Sequence, residues 1–182
     1  MQWIGINTNM AKRPIELQRQ FDNLKKKFDN LTKHNYTVSA GWFDKEMSKI
    51  ARIQEYGATI TVTDKMRKFL AVAYGIYLKK ETTTITIPPR PHRKQTINKF
   101  MKQWKKELAK LLLKTNYDLE KSLEILALKM AQDYKDIFST GKFDALSSAT
   151  LLIRNIKGID GTAPLVATGE MQRTIKSEVT KR

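Results

Sequence analysis

The sequence predicts an α+β fold: a small curved, mostly antiparallel sheet packed against long amphipathic helices, with an extended loop or arm near the C-terminus. Two patterns predict it. Tyr36 to Phe43, Ala58 to Val62 and Thr83 to Ile87 alternate with the two-residue period of strands that turn one face to a core. Leu17 to Leu31, Ile97 to Leu112 and Leu119 to Ile137 instead repeat apolar residues every three or four positions, as helices with one buried face do. The 182 residues suffice for a single domain over 1–182, with a core over about 1–140 and an arm, turn, helix and strand over about 141–182.

In chain order, Trp3-Ile4-Gly5-Ile6 reads as a short first strand, and Pro14 suits a helix's first turn, where its missing N–H has no partner to lose. Leu17, Phe21, Leu24, Phe28 and Leu31 follow at four-three-four-three spacing. That seam spans only about two heptads, short of the usual coiled-coil criterion, so packing across the sheet is expected. The strand at Tyr36 leads into a short helix through Ala51 to Tyr56. Gly57 is placed to end that helix in a left-handed turn. Asp64 caps a helix starting at Lys65 and broken at Gly75. The strand ending at Ile87 meets Pro88 and Pro89, which cannot donate to a ladder and so belong at a strand end or an edge. Two long helices come next, separated at Asn116-Tyr117-Asp118, with Gly141 just past the second. Leu146 to Gly161 is small, polar and interrupted, the composition of a long loop or extended arm. Pro164 to Met171 is a turn into a short last helix, and Ile175 to Val179 a closing strand.

Charge is the least ordinary property of the chain. Lys and Arg number 34 against 18 Asp and Glu, a formal net charge of +16. Such a field favours nucleic acid, acidic protein surfaces or anionic lipid. The most one-sided stretch is the helix bearing Lys94, Lys99, Lys102, Lys105, Lys106, Lys110 and Lys114 against one acid, Glu107. Lysines that merely solvate helix faces would give the same count. No apolar run approaches a membrane span, and the first residues lack a signal-peptide pattern, so a soluble, intracellularly made protein with no membrane partner is expected.

Chemistry finds little support. Zero cysteines exclude disulfides, thiolate metal sites and a cysteine nucleophile. His34 and His92 have no metal-ligand spacing. Asp133 and Asp136, three residues apart on one helix face, suit a hard cation less well than they suit a solvated surface pair. Thr140-Gly141-Lys142 fails the phosphate-loop pattern at Asp136 and Phe143. Ser147 and Ser148 lack the frame of a serine nucleophile. No catalytic residue, cofactor or metal is expected, and the chain is not expected to be an enzyme. Lysines on the long helix, with Arg90 and Arg93 in a proline-stiffened loop, could touch phosphates, but no sequence-reading nucleic-acid motif accompanies them.

Several landmarks occur in an order that resembles the tail-completion, or head-tail connector, proteins of tailed bacteriophages, a virion morphogenesis family. They are Val38-Ser39-Ala40-Gly41-Trp42-Phe43, Ala51-Arg52-Ile53-Gln54-Glu55-Tyr56-Gly57-Ala58, Ile87-Pro88-Pro89-Arg90-Pro91, a helix with Trp104, and Pro164-Leu165-Val166-Ala167-Thr168-Gly169-Glu170-Met171. The resemblance runs from about Tyr36 to the C-terminus. It departs from the family where His92 replaces an aromatic residue and where Ala167 replaces an acid.

The resemblance implies a non-enzymatic structural protein of the virion neck, made in the host cytoplasm, that forms a homo-oligomeric ring. Its expected partners are the portal or adaptor complex and the tail-tube or tail-terminator proteins, with genomic DNA in the channel as a possible non-specific contact. A ring closed by head-to-tail contacts needs two different surfaces per subunit. The interface residues expected are Pro88, Pro89, Arg90, Pro91, Arg93, Thr168, Gly169, Glu170 and Met171, with the lysine-rich helix as an electrostatic surface. Simpler roles compete: Pro88 to Pro91 as a strand end, and Thr168 to Met171 as a helix cap. The alternative function is a non-specific basic nucleic-acid-binding protein.

Overall fold

The computed structural model describes residues 9–181. The first strand expected at Trp3 to Ile6 lies outside them. In order, the elements are α1 (Asn9–Thr32), β1 (Tyr36–Gly41), α2 (Lys45–Tyr56), β2 (Ala58–Thr61), α3 (Asp64–Tyr74), β3 (Thr84–Ile87), α4 (His92–Lys114), α5 (Leu119–Thr140), α6 (Ser148–Ile156), α7 (Glu170–Arg173) and β4 (Lys176–Lys181). The fold is α+β with little sheet. The strands form two separate antiparallel ribbons, β1 with β4 and β2 with β3.

Helix α5 is the axis of the molecule, packed by α4 along one side and by the β1–β4 ribbon along another. Its sequence permits this because apolar residues recur on both sides. Ala131, Tyr134 and Phe138 close over Ile175, Ala40 and Trp42, whereas Leu126 and Met130 meet Trp104, Leu108 and Leu111 of α4. A helix buried on two sides reads as more apolar than one lying on a single layer. The closing strand returns from the far end of the chain to pair Val38 with Val179 and Gly41 with Lys176.

Local chemistry sets the helix boundaries, with small shifts from the sequence expectation. Asp44, Asp118 and Ser147 cap α2, α5 and α6 through bonds from Met47, Lys121 and Thr150 N–H. Thr63, not Asp64, caps α3, and Gly75 ends it in the left-handed conformation at φ 63°. Helix α1 begins at Asn9, before Pro14, which therefore stands inside the helix and not at its start. Leu146 to Gly161, read from sequence as a loop or arm, carries α6. The Ser147 cap starts it, and the Arg154 guanidinium holds the following turn by donating to the carbonyls of Gly161 and Ala163 at 3.1 and 3.0 Å. A second arginine, Arg67, donates to the carbonyls of Leu78, Lys79, Lys80 and Thr82 and shapes the loop leading to β3.

Gly57 joins α2 to β2 at φ 76° and ψ 174°, outside the left-handed helical turn expected. A Cβ there would stand 2.7 Å from the Ile87 carbonyl oxygen and 3.1 Å from the Pro89 nitrogen. Only glycine lets the two backbones approach so closely. Gly57→Ala is expected to lower stability by about 1–3 kcal/mol, read as a shifted urea midpoint with an unchanged slope. An unshifted midpoint would show that the corner yields freely.

Candidate functional site

The expected interface residues come from two distant stretches, and the fold brings six of the nine together. Pro88, Arg90, Thr168, Gly169, Glu170 and Met171 all line one cleft of about 600 Å³. Its walls are the end of β3, the face of α2 bearing Ile50 and Gln54, the start of α6, and the turn leading into α7. Leu165, at the base of that turn, holds a positive φ of 64°, a costly conformation for a branched side chain. Pro89, Pro91 and Arg93 do not line the cleft; Arg93 lines a second cavity.

Arg90 corrects the expectation of a phosphate-facing loop. It is only 6% exposed. Its N–H donates to the Gln54 carbonyl at 2.6 Å, Nη1 to the Gln54 amide oxygen at 3.3 Å, and Nε to the Asp144 carbonyl at 3.4 Å. The side chain turns inward here, where the backbone from Ile87 to Pro89 runs close against Gly57 and Gln54 takes both the main chain and the guanidinium of Arg90. Burial weakens the hold of Arg90 on its proton; Asp144 partly offsets this, and the positive charge of Arg154 adds to it. Arg154, 8% exposed, lines the same cleft and went unnoticed in the sequence. The available signal was a lone cation inside the apolar run Leu151-Leu152-Ile153-Arg154.

The second cavity, about 450 Å³, holds most of the groups able to do acid-base work: His92, Glu55, Tyr134, Ser48 and Arg93. Their bonds are already committed. His92 Nε2 faces the Ala51 carbonyl oxygen at 3.1 Å, an obligate acceptor, so this nitrogen carries the proton. Nδ1 is then the acceptor for the Tyr134 hydroxyl at 2.7 Å, with a Glu55 oxygen 3.5 Å away. Glu55 takes the N–H groups of Arg93 and Lys94 at 2.7 and 3.1 Å, and Ser48 donates to the Trp42 carbonyl. The imidazole is boxed by Trp42, Tyr134 and Phe138 at ring separations of 5.6 to 5.7 Å. His92 thus occupies an aromatic slot.

Elsewhere, Asp133 is buried and accepts from Trp104 Nε1 at 2.7 Å and from Lys129 Nζ at 3.4 Å, so it forms no solvated pair with Asp136. Among the described residues no three His, Asp or Glu side chains gather as metal ligands. No described helix is long and apolar enough to cross a membrane. The electrostatic surface is as expected in one respect: Lys94, Lys99, Lys102, Lys105, Lys106, Lys110 and Lys114 are all exposed on α4, away from buried Trp104 and Leu111.

Helix α1 departs from expectation. Its stripe does not pack across a sheet; Leu17, Phe21, Leu24 and Phe28 remain 40 to 66% exposed. The helix is tethered through Lys27, which donates to Asn116 Oδ1 at 2.6 Å, and through Phe28 against Tyr117. The periodicity was sufficient to define the stripe, but not its partner. No known protein family, curated protein or solved structure shows significant similarity to the chain.

Burial lowers the His92 pKa from 6.5, against smaller upward pulls from the Ala51 bond and Glu55, and Arg93 lowers it further. The unfolded chain therefore binds this proton more tightly than the folded one. Stability is complete above the unfolded pKa and is lost as pH falls through it, at up to about 1.4 kcal/mol per pH unit. His92→Phe, which keeps a ring in the slot, is expected to flatten that part of the profile in urea titrations between about pH 7.5 and 5.5. The same slope in the variant would assign the effect to another group.

Proposed function

We propose that this chain is a structural subunit of the head-tail connector of a tailed bacteriophage, one copy of a ring that completes the tail or joins the portal and adaptor complex to the tail tube. The exposed apolar stripe of α1 carries the proposal. Leu17, Phe21, Leu24 and Phe28 lie along one face of an amphipathic helix and are left 40 to 66% exposed, with Phe28 touching only the ring of Tyr117 among the described aromatic residues. Each such side chain gains about 1.5–3 kcal/mol on full burial, so a neighbouring subunit that covers several of them is strongly favoured. Closing a ring head to tail also takes a second, unlike surface on each subunit to receive that stripe. The order of landmarks from Val38 to Met171 supplies the virion context, and the internal use of His92, Glu55 and Ser48 favours a structural over a catalytic role.

The exposed lysines of α4 keep a second reading in view, non-specific binding to nucleic acid. Within a neck ring the same lysines meet DNA in the channel or an acidic neighbouring ring. Replacing Lys99, Lys102, Lys105 and Lys106 by Gln is expected to weaken docking or genome retention, with the largest effect at low salt. Nanomolar, strongly salt-dependent DNA binding by the isolated monomer would favour the second reading instead.

Leu17→Glu with Leu24→Glu is expected to leave the circular dichroism unchanged and to hold the protein monomeric in light scattering at concentrations where the parent chain assembles. Particles made without the protein should be filled heads beside separate finished tails in negative stain. Normal joined particles, or a double variant that assembles like the parent, would overturn the proposal.

A further inference from the structure

We propose that the cleft is a docking site for an extended segment of a different protein, which adds a strand to the free edge of β3 and places a carboxylate against Arg90 and Arg154. The inference does not depend on ring formation, because it concerns the cleft and not α1.

The backbone of β3 has one edge to spare. Thr83 accepts the N–H of Val62 at 2.8 Å, which marks these two opposed residues as a hydrogen-bonded pair. Bonded and non-bonded pairs alternate along an antiparallel ladder. In the register Thr61↔Thr84, Ile60↔Ile85, Thr59↔Thr86 and Ala58↔Ile87, it is therefore Ile85 and Ile87 that bond to β2. Thr84 and Thr86 direct their N–H and C=O groups the other way. Among the described residues, no main-chain group bonds to either on that edge. Ile85, Thr86 and Ile87, three successive residues, all line the cleft. Successive strand side chains point to opposite faces, so three in a row means that the strand meets the cleft along its edge. An open edge of this kind is what strand addition uses: main-chain bonds supply affinity and neighbouring pockets supply specificity.

The charge at the cleft selects the occupant. Arg90 and Arg154 are each more than nine-tenths buried, and neither forms an ion pair with a carboxylate among the described residues. Carbonyl and amide oxygens take Nε and Nη1 of Arg90 and Nη1 of Arg154. Nη2 of both, and Nε of Arg154, have no acceptor among the described residues, yet none is sealed from solvent. Two desolvated cations that line one cleft and keep donors to spare favour an anion, and the planar guanidinium matches a carboxylate in bidentate geometry. The other walls, including Ile50, Leu146, Leu165 and Met171, are apolar, and Glu170 stands beside them. Apolar side chains on either side of an acid fit such walls, whereas a run of phosphates would meet hydrocarbon and Glu170. The partner is a different, acidic protein: the field of a chain with net charge +16 draws a carboxylate-bearing segment to the cleft and gives a second copy of this basic chain no such advantage.

The test is an amide NMR titration of the full chain with a synthetic peptide of about eight residues that alternates Val and Thr around one central Glu, a length matched to ordinary strands. Saturable shifts are expected at the amides of Thr84 and Thr86 and at the guanidinium signals of Arg90 and Arg154. The same peptide with Gln for Glu is expected to bind about tenfold more weakly, the scale of one charge-assisted contact. Thr86→Pro removes only the outward N–H and no bond to β2, so it should keep the parent's thermal midpoint and weaken peptide binding by about tenfold or more. Equal binding of the Glu and Gln peptides, shifts confined to α1, or displacement by an oligonucleotide would overturn the proposal. Shifts at Thr84 and Thr86 that grow with protein concentration alone would give the edge to a second copy and overturn it equally.

Discussion

The carboxylate of Glu55 fixes the relation between the parts of this molecule. The first N–H groups of a helix have no partner within it, and α4 begins with a proline cap that offers no side-chain acceptor. Glu55, buried in the last turn of α2, supplies what the local sequence lacks by accepting from Arg93 and Lys94. A negative group at that end also meets the positive pole of the α4 dipole. Beside it Gln54 takes both the main chain and the side chain of Arg90. Two successive residues of one short helix thus hold the whole corner from Pro88 to Lys94, and with it one wall of the cleft and the slot occupied by His92. Burying a carboxylate is costly unless it is fully bonded, and this one is.

That arrangement explains what was and was not legible in the sequence. Stripes, alternation and most end signals are local, and they gave α4, α5, the four described strands and the short last helix to within a few residues. The Asp118 and Ser147 caps act over only three residues, although the Ser147 helix was hidden by a composition that resembled a loop. Capping of α4 from α2 joins elements 38 and 39 residues apart, beyond the reach of any periodicity. The inward course of Arg90 depends on the approach of Gly57 to Ile87 and Pro89, which is set by tertiary structure. In the same way, the stripe from Leu17 to Phe28 specified that a face needs cover without specifying what covers it. Pairing β1 with the last strand leaves the β2–β3 ribbon separate, so the single sheet suggested by three alternating runs is divided in two.

The positive charge is also divided by kind. The seven lysines of α4 stand in solvent on long stems, where their field is broad and screened by salt. Arg90 and Arg154 are held by carbonyl oxygens within a low-dielectric wall, where a partner charge is felt strongly and geometry matters. The first arrangement suits rapid encounter with any polyanion. The second suits recognition of one group at one place.

The distribution of satisfied and unsatisfied groups carries the functional argument further than the charge does. Every described buried side-chain donor and acceptor finds a partner, including the histidine, the two carboxylates and the tyrosine that would be the natural agents of catalysis. What remains unspent is of another sort: an apolar stripe on α1, the outward edge of β3, and guanidinium donors at the cleft. The contacts this chain can still make lie on those open surfaces and not among its buried polar groups, whose bonds are already spent within the fold.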